Sequence, residues 1–185
     1  MEEKRKLILL YSGGLDSTVL FKMALKAKYQ FYCVLFDYGQ KHIKELEKAK
    51  NQCLAYDIPF QIIKLPDLGI NSGLTGSNET GTFEGVSEWH VPARNLMFIS
   101  QVASLAEYMK YPLIWYGANY SDRENLFPDC YQEWVYELNK LLAINGSFPI
   151  RVEAPLLGMQ KETIQALAKT YNIKLQEVHS GYGTE

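Results

Sequence analysis

The sequence is short of both cysteine and histidine, with three of each in 185 residues. Cys33, Cys53 and Cys130 lie far apart and none belongs to a C-x-x-C pair, which argues against a cysteine-built structural zinc. An odd number of thiols without a signal-like leader points to a reducing compartment and to buried apolar thiols, so a cytoplasmic protein is expected. Excess charge of either sign is missing too: 19 basic against 21 acidic residues leave a formal charge of −2. That balance lacks the electrostatic footprint of a polyanion binder, so no nucleic-acid partner is expected. No apolar run is long enough to span a bilayer, which excludes a helical membrane anchor within these residues. Low-complexity tracts, internal repeats and a convincing Ser-His-Asp or Cys-His set are absent as well.

What remains is an ordinary globular composition, 47% hydrophobic, of a length that suits a single domain over 1–185. Apolar runs and helical periodicities alternate along it. Strands are expected at 6–11, 31–36, 60–65, 113–116 and 150–153, and helices at 17–28, 43–56, 96–109, 130–144 and 161–171. This order predicts an α/β fold, a doubly wound parallel sheet of about five strands. Two connections exceed the usual length. Residues 66–94, rich in Gly, Ser, Thr and Asn, read as a lid loop, and 119–129 is the second. Both follow strands, and ligands bind at the carboxyl ends of strands in open parallel sheets.

The first strand runs into Ser12-Gly13-Gly14-Leu15-Asp16-Ser17-Thr18 and then directly into a helix. Gly13 and Gly14 allow a tight turn whose N–H groups approach phosphate, and the helix amino terminus adds partial positive charge. The hydroxyls of Ser12, Ser17 and Thr18 are candidate donors to phosphate oxygens. A carboxylate beside a polyphosphate needs a cation between them, which makes Asp16 the candidate Mg²⁺ ligand. The pattern G-x-x-x-x-G-K-[ST] is not met, so γ-phosphate transfer on a P-loop is not the expected chemistry.

Ser12 to Ser17 resembles the S-G-G-x-D-S signature of the N-type ATP pyrophosphatases, whose fold is adenine nucleotide alpha hydrolase-like and which cleave ATP between its α and β phosphates. Three further segments are similar to those of the 7-cyano-7-deazaguanine synthase family of the queuosine precursor pathway: Phe36-Asp37-Tyr38-Gly39-Gln40-Lys41-His42, Val91-Pro92-Ala93-Arg94-Asn95 and Phe127-Pro128-Asp129-Cys130. Pro155-Leu156 followed by Lys161-Glu162 completes the series in the right order. The resemblance implies ATP and Mg²⁺ as cofactors, a deazapurine carboxylate and ammonia as small-molecule partners, and a homodimer.

The matched residues also have readings of their own. Arg94 and Lys161 are candidates to neutralise phosphate charge beside Asp16, against the plainer readings of a surface ion pair and a solvated lysine, and Asn95 is read as capping the helix it opens and as a substrate-binding candidate. Asp37 is a candidate acceptor for ribose or adenine groups, against the plainer reading of a turn residue. Gln40, His42, Phe127 and Asp129 are the remaining substrate-binding candidates, Asp129 as the partner of a guanine-like edge. Two departures stand out. Gly181 occupies the place of the family's first zinc-cluster cysteine, so no zinc is expected, and Tyr131 follows Pro-Asp-Cys where arginine is usual. Two rival readings remain open: a ligase on the same deazapurine that stops at an amide or conjugate, and a non-catalytic adenine-nucleotide-binding module.

Overall fold

A computed structural model describes residues 5–40, 43–66, 91–124, 127–174 and Val178. Five strands form one sheet: β1 (Lys6–Leu10), β2 (Gln30–Asp37), β3 (Phe60–Lys64), β4 (Leu113–Trp115) and β5 (Arg151–Glu153). All pairings are parallel, in the order β3-β2-β1-β4-β5. The helices are α1 (Leu15–Lys26), α2 (Ile43–Ala55), α3 (Arg94–Met109), the short α4 (Tyr120–Glu124), α5 (Gln132–Asn145) and α6 (Lys161–Thr170). A 3-10 turn covers Pro128–Cys130.

Side-chain alternation along the strands sorts the core into two layers. Leu7, Leu9, Tyr11, Cys33, Leu35 and Trp115 face α1, α2 and α6, where Val19, Phe21, Ala49, Cys53, Ile164 and Ala168 meet them. Ile8, Leu10, Val34, Phe36, Ile114 and Val152 face the opposite way, onto Ile99, Val102 and Ala106 of α3 and Val135 and Leu138 of α5. β1 is buried on both faces, which is why its sequence is an unbroken apolar run with no polar alternation.

The chain leaves β1 toward β2 on one side and returns through β4 on the other. The strand order therefore reverses between β1 and β4, and a crevice opens beyond their carboxyl ends. Expected element boundaries agree with the structure to within about two residues. The exception is α4, which lies inside a segment read as loop. Residues 67–90, the greater part of the expected lid, fall outside the described residues, and so do His42 and 179–185, where the zinc expectation sits.

Candidate active site

The turn after β1 requires glycine for two independent reasons. Gly13 has φ +81°, and a Cβ there would stand 2.6 Å from the Glu45 carbonyl oxygen and 3.1 Å from Ala49 Cβ in α2. Hydroxyls lace the turn from inside. Ser17 Oγ donates to the Gly14 carbonyl at 3.1 Å and lies 3.0 Å from Ser12 Oγ, which accepts from the Gly14 N–H at 3.3 Å. Gly14 occupies the N-cap of α1 and supplies no side-chain cap, and the helix begins at Leu15, Asp16 and Ser17, all of which line the cleft.

Thr18 is not brought there. Its side chain is buried, with Oγ1 3.4 Å from the Tyr11 hydroxyl, and it ties α1 to the end of β1. Burial pushes the Tyr11 phenol well above the usual tyrosine range, only partly offset by that hydrogen bond.

Asp16, in the first turn of α1, is the centre of the site. Oδ2 accepts from Asn119 Nδ2 at 2.8 Å. Oδ1 is buried and has no hydrogen-bond partner among the described residues, because Lys161 Nζ stands 4.0 Å away. An unsatisfied buried carboxylate oxygen costs about 1–3 kcal/mol. A hard divalent cation, which takes oxygen ligands, fits the chemistry of this carboxylate.

Asn119 and Asp122 join this centre, and the sequence reading did not single them out. Asn119, which is fully buried, donates from Nδ2 to Asp122 Oδ2 at 2.9 Å as well as to Asp16, and its Oδ1 accepts the Asp122 N–H at 3.0 Å. Burial, then the nearby Asp16 carboxylate, push the Asp122 carboxyl up to about 6, with Lys161 and Arg94 pulling the other way. The available signal was the position of 119–129 after β4, at the ligand-bearing end of the sheet.

The opposite wall is aromatic. Phe36 and Phe98 stack with centroids 4.1 Å apart and planes 4° from parallel, Tyr38 leans on Phe98, and the Arg94 guanidinium lies 5.9 Å from the Tyr38 ring centre. Asn95 donates to the Asp129 carboxylate, and the Tyr116 hydroxyl donates to the Asp129 carbonyl at 2.7 Å. The reading of Asn95 as a helix cap is corrected: Ala93 holds the N-cap of α3 with φ 54°, and Asn95 sits inside the first turn with its side chain committed to Asp129.

Between the walls lies a cleft of about 220 Å³ lined by Ser12, Gly14, Asp16, Ser17, Gln40, Arg94, Asn95, Asp122 and Lys161 together with the aromatics. Gln40 also closes its own turn, donating to the Phe36 carbonyl at 3.0 Å and accepting from the Tyr38 N–H at 2.9 Å. Asp37 accepts from the Gly39 N–H at 3.4 Å, the bonding of a turn residue. Phe127 packs in the core on the α3 and α5 side.

A parallel sheet in this order, carrying an S-G-G-x-D-S turn at the tip of its central strand, defines the adenine nucleotide alpha hydrolase-like fold of the N-type ATP pyrophosphatases. The fold likeness extends to a crystal structure of a predicted tRNA methyltransferase subunit from Methanocaldococcus jannaschii, with TM-score 0.57 and 18% identity over 89% of this chain and 74% of that one. Residues 6–185 match the model of the family described as queuosine biosynthesis protein QueC, and the chain belongs to that family. The 7-cyano-7-deazaguanine synthase of Prochlorococcus marinus is 34% identical, covering 97% of this chain and 85% of its own. Those of Acetivibrio thermocellus and Chromohalobacter salexigens are each 34% identical, covering 92% and 89% of this chain and 81% and 68% of theirs.

Proposed function

We propose that this chain is an ATP-dependent C–N ligase that converts 7-carboxy-7-deazaguanine and ammonia into 7-cyano-7-deazaguanine, releasing AMP and pyrophosphate. Family membership supports the substrate class, and the orphaned Oδ1 of Asp16 beneath an uncapped helix terminus is the single observation that carries the chemistry.

In this reading the triphosphate lies over the 12–17 turn, its α-phosphate toward the N–H groups that begin α1, where the helix dipole favours negative charge. Asp16 would hold Mg²⁺, which draws charge from the triphosphate and helps pyrophosphate leave. Lys161 and Arg94, both lining the cleft, take up charge on the departing oxygens. The adenine goes to the aromatic wall of Phe36, Tyr38 and Phe98, and the deazapurine goes toward Asn95 and Asp129.

A substrate carboxylate oxygen attacks the α-phosphorus, the bond to pyrophosphate breaks, and an acyl-adenylate forms. Ammonia displaces AMP to give the amide. The amide oxygen then attacks the α-phosphorus of a second ATP, releasing a second pyrophosphate and forming an O-adenylated imidate, and loss of AMP leaves the nitrile, both N–H protons having been given up over the two steps. The protein acts through positioning and charge neutralisation, and no covalent nucleophile is needed. The same reading includes Mg²⁺ as cofactor, a cytoplasmic setting and a homodimer.

Incubation with ATP, Mg²⁺, ammonia and 7-carboxy-7-deazaguanine, followed by mass spectrometry, tests the proposal. The nitrile is the expected product. An amide end-product or unchanged acid with ATP intact would overturn it.

A further inference from the structure

Asn119 bonds to two residues that line the cleft, Asp16 and Asp122, yet it is fully buried and lines no part of the cleft itself. Its carboxamide is a planar group with two N–H donors and one carbonyl acceptor. Nδ2 donates to Asp16 Oδ2 at 2.8 Å and to Asp122 Oδ2 at 2.9 Å, and Oδ1 accepts the Asp122 N–H at 3.0 Å. No other uncharged side chain of this size offers two donors to two carboxylates from one atom while also accepting. A carboxylate here would add a third negative charge, and a hydroxyl would reach only one partner.

The backbone around it is fixed from three sides. Tyr116 N–H donates to the Glu153 carbonyl at 3.2 Å, and Tyr120 N–H donates to the Met159 carbonyl at 3.0 Å. Gly117 brings the chain so close to α1 that a Cβ there would lie 3.4 Å from Asp16 Cβ. Ser121 Oγ accepts the Lys161 N–H at 3.0 Å and so sets the first residue of α6.

With Oδ2 held by Asn119, the carboxylate of Asp16 cannot turn freely. The oxygen left over is Oδ1, buried and without a hydrogen bond among the described residues, on the side where Lys161 approaches. We propose that Asn119 is a positioning residue: it locks the Asp16 carboxylate so that Oδ1 is presented to the cation of the bound nucleotide, and it keeps Asp122 alongside. The inference rests on the reading of Asp16 as the cation's ligand and adds to it the residue that fixes the ligand's geometry.

The test is calorimetric titration of ATP into wild type, Asn119→Ala and Asn119→Ser, each with Mg²⁺ and with EDTA, with a melting curve for each protein. Asn119→Ala is expected to weaken Mg²⁺-dependent ATP binding by about ten-fold or more, the size typical of residues that orient metal ligands. Binding in EDTA should change less than about two-fold on the same grounds, since Asn119 does not reach the nucleotide. Asn119→Ser keeps one donor and should fall between; it carries the test if Asn119→Ala does not fold. Asn139→Ala serves as a control, a partly buried, hydrogen-bonded asparagine outside the cleft lining, which should lower the melting temperature and leave the Mg²⁺ dependence unchanged. Wild type whose ATP binding ignores Mg²⁺ would overturn the reading of Asp16 itself. Wild type that responds to Mg²⁺, with Asn119 variants responding equally, would overturn this inference alone.

Discussion

Lys161 Nζ and Asp16 Oδ1 face each other at 4.0 Å, the first residue of α6 against the first turn of α1 across the end of the sheet. The separation is too long for a hydrogen bond and leaves both groups directed at the same space. A cation and a phosphate oxygen entering that space would each find its counter-charge in place.

Removing the positive member should therefore damage catalysis without damaging the fold. Lys161→Ala is expected to lower pyrophosphate release by about 10²–10³, the usual cost of one donor aimed at developing charge. The melting temperature should stay near that of wild type, because a single partly exposed ion pair contributes little to stability. Asp16→Asn should abolish turnover, and activity near wild type would refute its assignment to the cation.

Gly13→Ala places a Cβ 2.6 Å from a backbone oxygen of α2 at a φ of +81°. The left-handed conformation alone costs an ordinary residue about 1–2 kcal/mol, and the backbone contact cannot relax by a rotamer change. A loss of about 2 kcal/mol or more is expected in urea unfolding, together with loss of nucleotide binding.

The carboxyl of Asp122 rises from the ordinary 3.8 to about 6 in the folded protein. Between those values the native state binds a proton that the unfolded chain does not, so this group makes stability fall as pH rises through the window. Urea titrations of metal-free protein from pH 4 to 6.5 should show that slope in wild type and a flatter profile in Asp122→Asn. Parallel profiles would refute the burial of this charge.

Asn139 protects the open edge of the sheet. The N–H of Arg151 and the carbonyl of Glu153 bond toward β4, leaving the outward N–H and C=O of Val152 to be met by Asn139 at 2.8 and 2.9 Å. Its Nδ2 also reaches the Val135 carbonyl at 2.9 Å. Asn139→Ala leaves several polar groups without partners and should cost about 2–3 kcal/mol in thermal or urea unfolding, with catalytic constants per folded molecule unchanged.

The strands were legible because each core strand carries its own signature: the unbroken apolar run at 7–10 can only be a segment buried on both faces. The turn at 12–17 was legible because its chemistry is local, written within one strand-to-helix junction. Asn119 and Asp122 were not, since what makes them matter is an approach to Asp16 from the end of the neighbouring strand β4, and no local pattern encodes a partner 103 positions away. Asn95 misled for the opposite reason. An asparagine near a helix start suits a local cap, but its tertiary partner Asp129 outcompetes that use, and the left-handed Ala93 takes the boundary. Thr18 likewise looked like a phosphate donor in sequence and is spent on Tyr11 in space.

The strand order β3-β2-β1-β4-β5 sets a timetable for synthesis. A ribosome that has delivered only the first three strands has made the glycine turn and the start of α1, but every group that answers Asp16 is still to come, at 119, 122 and 161. A nascent chain of that length has no complete cleft, and the surroundings of Asp16 are assembled only once residue 161 has been made.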